Sequence, residues 1–380
     1  EFGPYFTQRY TTPWGEAVNF DGPESDEVRR FFVDNALMWL RDYHCDGLRL
    51  DAVHAIVDTS ATHILEELAR EVGDFAAQAG RTVWLVAESD RNDPRIVKTP
   101  DTGGYGIDAQ WSDDFHHALH AVLTGETAGY YADFGDPDQL ATALERVFVY
   151  NGTYSPYRRR RHGRPIGDLP ATRFLGYSQN HDQVGNRAMG ERLAALTSLG
   201  RLKIAAALVL TAPFVPLLFQ GEEWGASTPF LYFTDHRDPA LARAVSEGRQ
   251  AEFAGFGWKP DDIPDPQDRR TWQRSALDWD EVGTAPHSEL LAWYRDLIRF
   301  RMDEPSLTDG RLHDVAAWYG NGHLVLWRRH VLVVCNFSGA RQEVGVVPRG
   351  ELLLASDPGV VVTATGVDLP GDSVAVLRTE

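Results

Sequence analysis

An α/β fold with parallel strands, followed by a small antiparallel β domain, is the architecture the sequence predicts. Two observations carry that expectation. Short apolar runs of strand length alternate with longer amphipathic segments over most of the chain, the pattern of parallel strands joined by helices. From about Pro305 the pattern changes to short runs broken by Gly, Asn and Ser. A chain of 380 residues is long enough for a large domain and a smaller one, and the division is expected at 1–304 and 305–380.

Taken in order, Asp26 to Tyr43 reads as an amphipathic helix with Val28, Phe31, Phe32, Ala36, Met38, Trp39 and Leu40 on its apolar side. It leads into a strand at Gly47 to Leu50. Thr59 to Ala79 is helical again, with Ile64, Leu65, Leu68 and Val72 spaced for one face, and precedes a strand at Thr82 to Ala87. Ile107 to Trp111, Phe174 to Ser178 and Phe214 to Phe219 are further strands, with helix patterns at Pro137 to Val149 and Leu193 to Leu210 between the later ones. In the last part, Val315 to Tyr319, His323 to Arg328, Val331 to Phe337, Gln342 to Val347 and Ser373 to Arg378 read as strands of a small antiparallel sandwich.

Composition narrows the partners. A formal net charge of -18 disfavours nucleic acid and anionic membrane surfaces, whose charges it would meet with like charge, and it suits a neutral substrate. Eleven Trp and thirteen Tyr are a supply of rings for stacking, although most are expected in the core. Two cysteines, Cys45 and Cys335, make no disulfide framework, so a reducing cytoplasm is the expected compartment. Glu1 to Tyr5 lacks the basic and apolar regions of a signal peptide, and the longest apolar run, Ala205 to Phe219, is interrupted by Pro213 and Pro216.

The strands share a feature that packing alone does not require: each runs into acidic or polar residues. In Leu48-Arg49-Leu50-Asp51 the alternation of a strand puts Arg49 and Asp51 on one face and the leucines on the other. In a parallel barrel the leucines would lie under the helices while the arginine and aspartate pointed inward. Pairing would keep Asp51 ionised, as a nucleophilic carboxylate must be; a structural ion pair is the plainer reading. Val83 to Ala87 is wholly apolar and closes on Glu88, in surroundings suited to a general acid. Phe174 to Ser178 runs on into Gln179-Asn180-His181-Asp182, and Pro216 to Phe219 into Gln220-Gly221-Glu222-Glu223-Trp224. Residues converging from the C-terminal ends of several strands build the sites of (β/α)8 barrels, and two close carboxylates are the machinery of a retaining glycosidase.

At these residues the sequence resembles the α-amylase family, glycoside hydrolase family 13. Asp46-Gly47-Leu48-Arg49-Leu50-Asp51-Ala52-Val53-His54 is similar to the family segment holding the nucleophile and the arginine that orients it. Val86-Ala87-Glu88 is similar to the acid/base segment, and Asn180-His181-Asp182 to that of the third acidic residue and its neighbouring histidine. The resemblance is greatest to the trehalose-releasing hydrolases of the family and runs over essentially all 380 residues. It rests on Phe2-Gly3-Pro4-Tyr5-Phe6-Thr7 with Thr12-Pro13-Trp14-Gly15, on Asn151-Gly152-Thr153-Tyr154-Ser155 with the arginines that follow, on Asn180 to Arg187, and on Phe219 to Gly225 with Pro229-Phe230. It implies a TIM barrel, catalytic residues Asp51, Glu88 and Asp182, and substrate contacts from Arg49, His54, Trp111, His181, Gln183 and Arg187. The implied substrate is a malto-oligosaccharide ending in trehalose, cut to release the disaccharide, with neither cofactor nor metal. The oligomeric state is left open.

The family's Asp-x-x-x-x-Asn-His segment of the third barrel strand has no counterpart before Asp51. By that count the chain supplies only strands four to eight of the barrel and reads as the C-terminal portion of a longer protein, with an open sheet edge and an incomplete sugar pocket. Two rival functions remain. Branching enzymes of the same family continue their third segment from His-Asp with Glu-Val-Val, where Gln183-Val184-Gly185 stands here; the other rival is a glucan-binding fragment without turnover. Three further features stay open. His116 and His120, four apart beside Asp113 and Asp114, have metal-like spacing but read better as support for the strand rim. Arg158 to Arg161 reads as a solvated loop or a loop over the sugar site. Glu222 and Glu223 either line the rim or cap the following segment.

Overall fold

The computed structural model describes residues 3–254, 259, 262–346 and 350–379. Phe2 of the first motif and the expected strand end at Val347 lie outside them. The chain divides into two compact units, Glu1–Phe115 with Arg146–Gly176, and His116–Glu145 with Tyr177–Glu380.

The first unit opens with an antiparallel hairpin, β1 (Phe6–Thr12) and β2 (Gly15–Val18). Helix α1 (Asp26–Arg41) follows and buries Val28, Val33, Ala36 and Leu40. Phe31, Phe32 and Trp39, expected on that apolar side, are instead exposed. They gather on a second stripe, where Phe31 meets Tyr5 at 5.6 Å, Phe32 meets Phe20 at 5.2 Å and Trp39 meets Tyr43 at 4.7 Å between ring centroids. The buried stripe also carries Arg29, whose guanidinium is engaged by Asp58 and Glu67, each at 2.7 Å. The pairing makes a cation tolerable there.

Strand β3 (Gly47–Leu50) is joined through α2 (Ile64–Ala79) to β4 (Trp84–Ala87). The expected apolar face of α2 is buried, through Ile64, Leu65, Leu68 and Val72. Its expected start at Thr59 moves to Ile64, because the His63 ring accepts the Leu65 N–H at 3.1 Å as an N-cap, and Gly80 ends it in the left-handed conformation at φ 62°. Strand β5 (Ala109–Trp111) comes next, then α3 (Asp113–Thr124), α4 (Asp138–Arg146), the short pair β6 (Tyr154–Ser155) and β7 (Arg160–Arg161), and β8 (Phe174–Gly176).

Strands β3, β4, β5 and β8 lie side by side, all parallel, with Leu50 opposite Ala87, Ala87 opposite Gln110 and Trp111 opposite Leu175. Because β3 ends the sheet, it forms the open edge the sequence led us to expect, and Leu48 and Leu50 are only half-buried.

In the second unit, α5 (His181–Gly185), α6 (Leu193–Leu196) and α7 (Leu199–Thr211) precede the short strand β9 (Val215–Pro216). One helix was expected over 193–210. Ser198 divides it, its hydroxyl accepting the Arg201 N–H at 3.2 Å as the cap of α7. Helices α8 (Pro239–Ala254), α9 (Arg269–Arg274) and α10 (His287–Asp303) follow.

The remaining strands are β10 (Val315–Gly320), β11 (His323–Arg328), β12 (Val331–Asn336), β13 (Gln342–Val344), β14 (Gly350–Ala355), β15 (Val361–Val362), β16 (Val367–Leu369) and β17 (Ser373–Thr379). They form two antiparallel sheets, β10-β11-β12-β17-β14 and β13-β16-β15. Val325, Leu332, Val334 and Leu377 of the first sheet share one core with Val344, Val367 and Leu369 of the second, which makes the domain a sandwich. The chain is thus part of a β/α barrel followed by a β-sandwich. Among the described residues no helix is long and apolar enough to cross a membrane.

Candidate active site

Parallel pairing places the ends of β3 and β4 together. Glu88 N–H donates to the Leu50 carbonyl at 3.0 Å, and Val53 N–H returns a bond to the Glu88 carbonyl at 3.1 Å. Asp51 and Glu88 therefore leave adjacent strands at the same level. Arg49, one residue before Leu50, is shared between them: one guanidinium nitrogen bonds the Asp51 carboxylate and the other lies 3.3 Å from Glu88 Oε2. A planar fork can hold two carboxylates at once where an ammonium cannot. The guanidinium carbon also sits 4.7 Å from the centre of the Trp111 ring, a buried residue at the end of β5.

The two carboxylates differ in their surroundings. Asp51 keeps 77% of its side chain in solvent and Glu88 only 19%. Glu88 Oε2 accepts the backbone N–H of Ala52 at 2.5 Å. That N–H is aimed by Ala52 itself, whose φ of 42° and ψ of 45° lie in the left-handed region that a residue with a Cβ seldom adopts. Strain of this kind gathers where geometry is functional.

His54, in the turn after Asp51, is half-buried, with Nδ1 3.9 Å from an Asp90 carboxylate oxygen and the Trp14 ring 6.5 Å away. Asp90 also faces Arg158 at 3.6 Å, and its carbonyl accepts from His162 Nε2 at 2.8 Å. Arg158, expected in a solvated loop or over the sugar site, is thus tied back two residues beyond Glu88. Asp114 is fully buried, accepting from Asn92 at 2.9 Å and from Tyr150 N–H at 2.8 Å. Burial pushes its carboxyl up to about 6, and those hydrogen bonds oppose the rise.

In the second unit, Asn180 caps α5: its Oδ1 accepts the N–H of Asp182 at 2.9 Å and of Gln183 at 3.2 Å. Asp182 and His181 are part-exposed, with His181 Nε2 3.5 Å from Asp182 Oδ1. Arg187 is gripped by Glu126 through two bonds of 2.8 and 2.9 Å, and His120 Nε2 reaches the same carboxylate at 2.7 Å. These two partners, His120 first, hold Glu126 down at about 2. His116 is buried with Nδ1 on the Ser178 carbonyl at 2.9 Å and Nε2 on Tyr131 Oη at 3.0 Å. The histidine spacing along α3 thus serves packing and hydrogen bonding, as support of the rim requires. Glu222, following β9, is buried rather than at the rim surface.

Adjacent parallel strand ends thus carry an arginine shared between two carboxylates, and the fold that presents them is of the α-amylase class. A scan against protein-family models finds no match. The chain is 49% identical over 381 residues to the malto-oligosyltrehalose trehalohydrolase of Arthrobacter ramosus and 48% identical to that of Mycobacterium tuberculosis H37Rv. These alignments cover 100% and 99% of this chain and 65% of each relative, so the chain spans just under two thirds of the curated relatives it matches. Against a 1,4-alpha-glucan branching enzyme of Bacillus caldolyticus, 34% identity extends over 105 residues, 26% of this chain and 16% of that one. A Salmonella typhimurium crystal structure described as a candidate alpha amylase superposes with a TM-score of 0.87 at 36% identity, covering 99% of this chain and 64% of that one. The chain belongs to the malto-oligosyltrehalose trehalohydrolase branch of the α-amylase family.

Proposed function

We propose that this chain carries the catalytic carboxylates of a retaining hydrolase that cuts the α-1,4 bond next to the trehalose end of malto-oligosyltrehalose and releases trehalose. The observation that carries the reading is Arg49 held between Asp51 and Glu88 in a chain 49% identical to a trehalohydrolase. In the reaction, Glu88 gives its proton to the glycosidic oxygen as Asp51 attacks the anomeric carbon, and the C–O bond to trehalose breaks. Glu88, now a carboxylate, takes a proton from water, which attacks the glycosyl-enzyme and frees Asp51 with configuration retained. Asp51, the more exposed acid, faces the sugar as nucleophile, with Arg49 orienting it. Asp182 is the third acid, and His54, Trp111, His181, Gln183 and Arg187 are assigned to substrate. For Arg187 the grip of Glu126 makes the assignment one of orientation before contact.

We place the catalytic portion at 1–304 and the sandwich at 305–380. The two free cysteines, one buried, fit a reducing cytoplasm. The test is chromatography of products from malto-oligosyltrehalose. Trehalose with no new α-1,6 branches is expected; branched glucans without trehalose would establish a transferase. Binding without any product, from this chain and from one extended to its relatives' length, would leave a glucan-binding fragment.

A further inference from the structure

Glu222 is only 4% exposed. Its oxygens meet two hydroxyls: Ser178 Oγ donates to Oε2 at 3.3 Å and Tyr294 Oη, from α10, to Oε1 at 3.2 Å. The cation facing it is Arg192, whose guanidinium is itself engaged by the carbonyls of Gln220 and Thr228, each at 2.7 Å. Glu223 adds a like charge from the same turn, and Glu281 faces Arg192 from beyond it. Burial in these surroundings pushes the Glu222 carboxyl up to about 8, so at neutral pH it keeps its proton. A hydroxyl both gives and takes hydrogen bonds, so the two partners can serve the acid in that form.

The other side of Ser178 is held as firmly. Its carbonyl can only accept, so the buried His116 donates from Nδ1, and Nε2 accepts a hydrogen bond from the Tyr131 hydroxyl. Ser178 is thereby fixed at both its main-chain carbonyl and its side chain, four residues before Asp182. A buried acid is a costly way to fill space, and an apolar side chain would pack at less cost. What the acid adds is a hydrogen-bonded grip on one serine.

We propose that Glu222 is a positioning residue for Asp182, holding through Ser178 the segment that presents that carboxylate; this rests on the assignment of Asp182 to the catalytic trio.

The experiment compares Glu222→Gln, Glu222→Ala and Asp182→Asn, singly and with Glu222→Ala combined with Asp182→Asn. Turnover of malto-oligosyltrehalose is followed together with hydrogen-exchange protection of the Asp182 and Gln183 amides. Glu222→Ala is expected to lower kcat about tenfold with KM nearly unchanged, and to add no further loss to Asp182→Asn. Glu222→Gln, which keeps an acceptor for the Ser178 and Tyr294 hydroxyls, is expected to retain most of the activity and the amide protection that Glu222→Ala loses. Equal losses from Glu222→Ala in both backgrounds, or a Glu222→Gln chain as impaired as Glu222→Ala, would overturn the proposal. If the unmodified chain releases no trehalose, the functional reading fails separately. Amide protection then decides: protection unchanged in Glu222→Ala sinks the anchor.

Discussion

The segment ending in Asp51 and the segment leading to Asp182 are built on opposite principles. At the first, two carboxyl groups are drawn to one guanidinium in a part-open setting, with Asp51 largely in solvent. At the second, the strand end is clamped by neutral groups that are buried: a serine, a histidine, a tyrosine and a protonated acid. Charge pairing tolerates water but is weakened by salt. A neutral buried network ignores salt and is vulnerable to pH and to the loss of any single hydroxyl.

The contrast can be broken most severely at Asp51. Asp51→Asn is expected to remove turnover by a factor on the order of 10⁴ or more while the thermal melt stays close to that of the parent chain. Substantial residual hydrolysis would refute the nucleophile assignment. A smaller effect is expected from Arg49→Lys. A lysine keeps the charge but cannot fork between Asp51 and Glu88, so kcat/KM should fall by about 10² and become more sensitive to added salt. Unchanged kinetics would show that the shared guanidinium is packing only.

The smallest effect sharpens the contrast within the second unit, where Glu126 is held by charge rather than by neutral groups. Because His120 and Arg187 hold Glu126 at about 2, below its ordinary 4.5, its stabilising contribution is complete above pH 4.5. It is lost as pH falls through the interval from 4.5 to about 2. Glu126→Gln should therefore melt about 1–3 °C lower at neutral pH, a small gap because the carboxylate is partly in solvent, and the two melts should converge over that acid interval. A gap that is constant with pH would mean that the ion pair carries none of it.

What the sequence shows and what it hides follow from the range of the interactions. Gly47 to Leu50 and the carboxylate just beyond it are legible because a strand and the polar residue that ends it are neighbours along the chain. The same holds for Asn180, whose side chain caps residues two and three positions on. Local periodicity erred where one helix has two apolar stripes: Phe31, Phe32 and Trp39 read as core, yet they are exposed and pack on rings of Tyr5, Phe20 and Tyr43. It also missed β14 to β16, which are short and separated by turns. The partners of Arg187 and Glu222 lie far away in sequence, Glu126 at 61 residues and Tyr294 at 72, so no spacing could announce them. The fixed signal was only that an acid followed an apolar strand, and this fitted a rim residue and a buried tie equally well.

Ala52 bears on how far this site can be made sturdier. A left-handed alanine costs roughly 1 kcal/mol that a glycine would not, so the chain forgoes that much robustness where it delivers an N–H to Glu88. Glycine would relieve the strain and also release the turn to wander, and heat tolerance and a well-aimed hydrogen bond would then be bought from each other. Stabilising substitutions in this chain therefore belong in its helices and in the β-sandwich, and the turn after Asp51 is best left as it is.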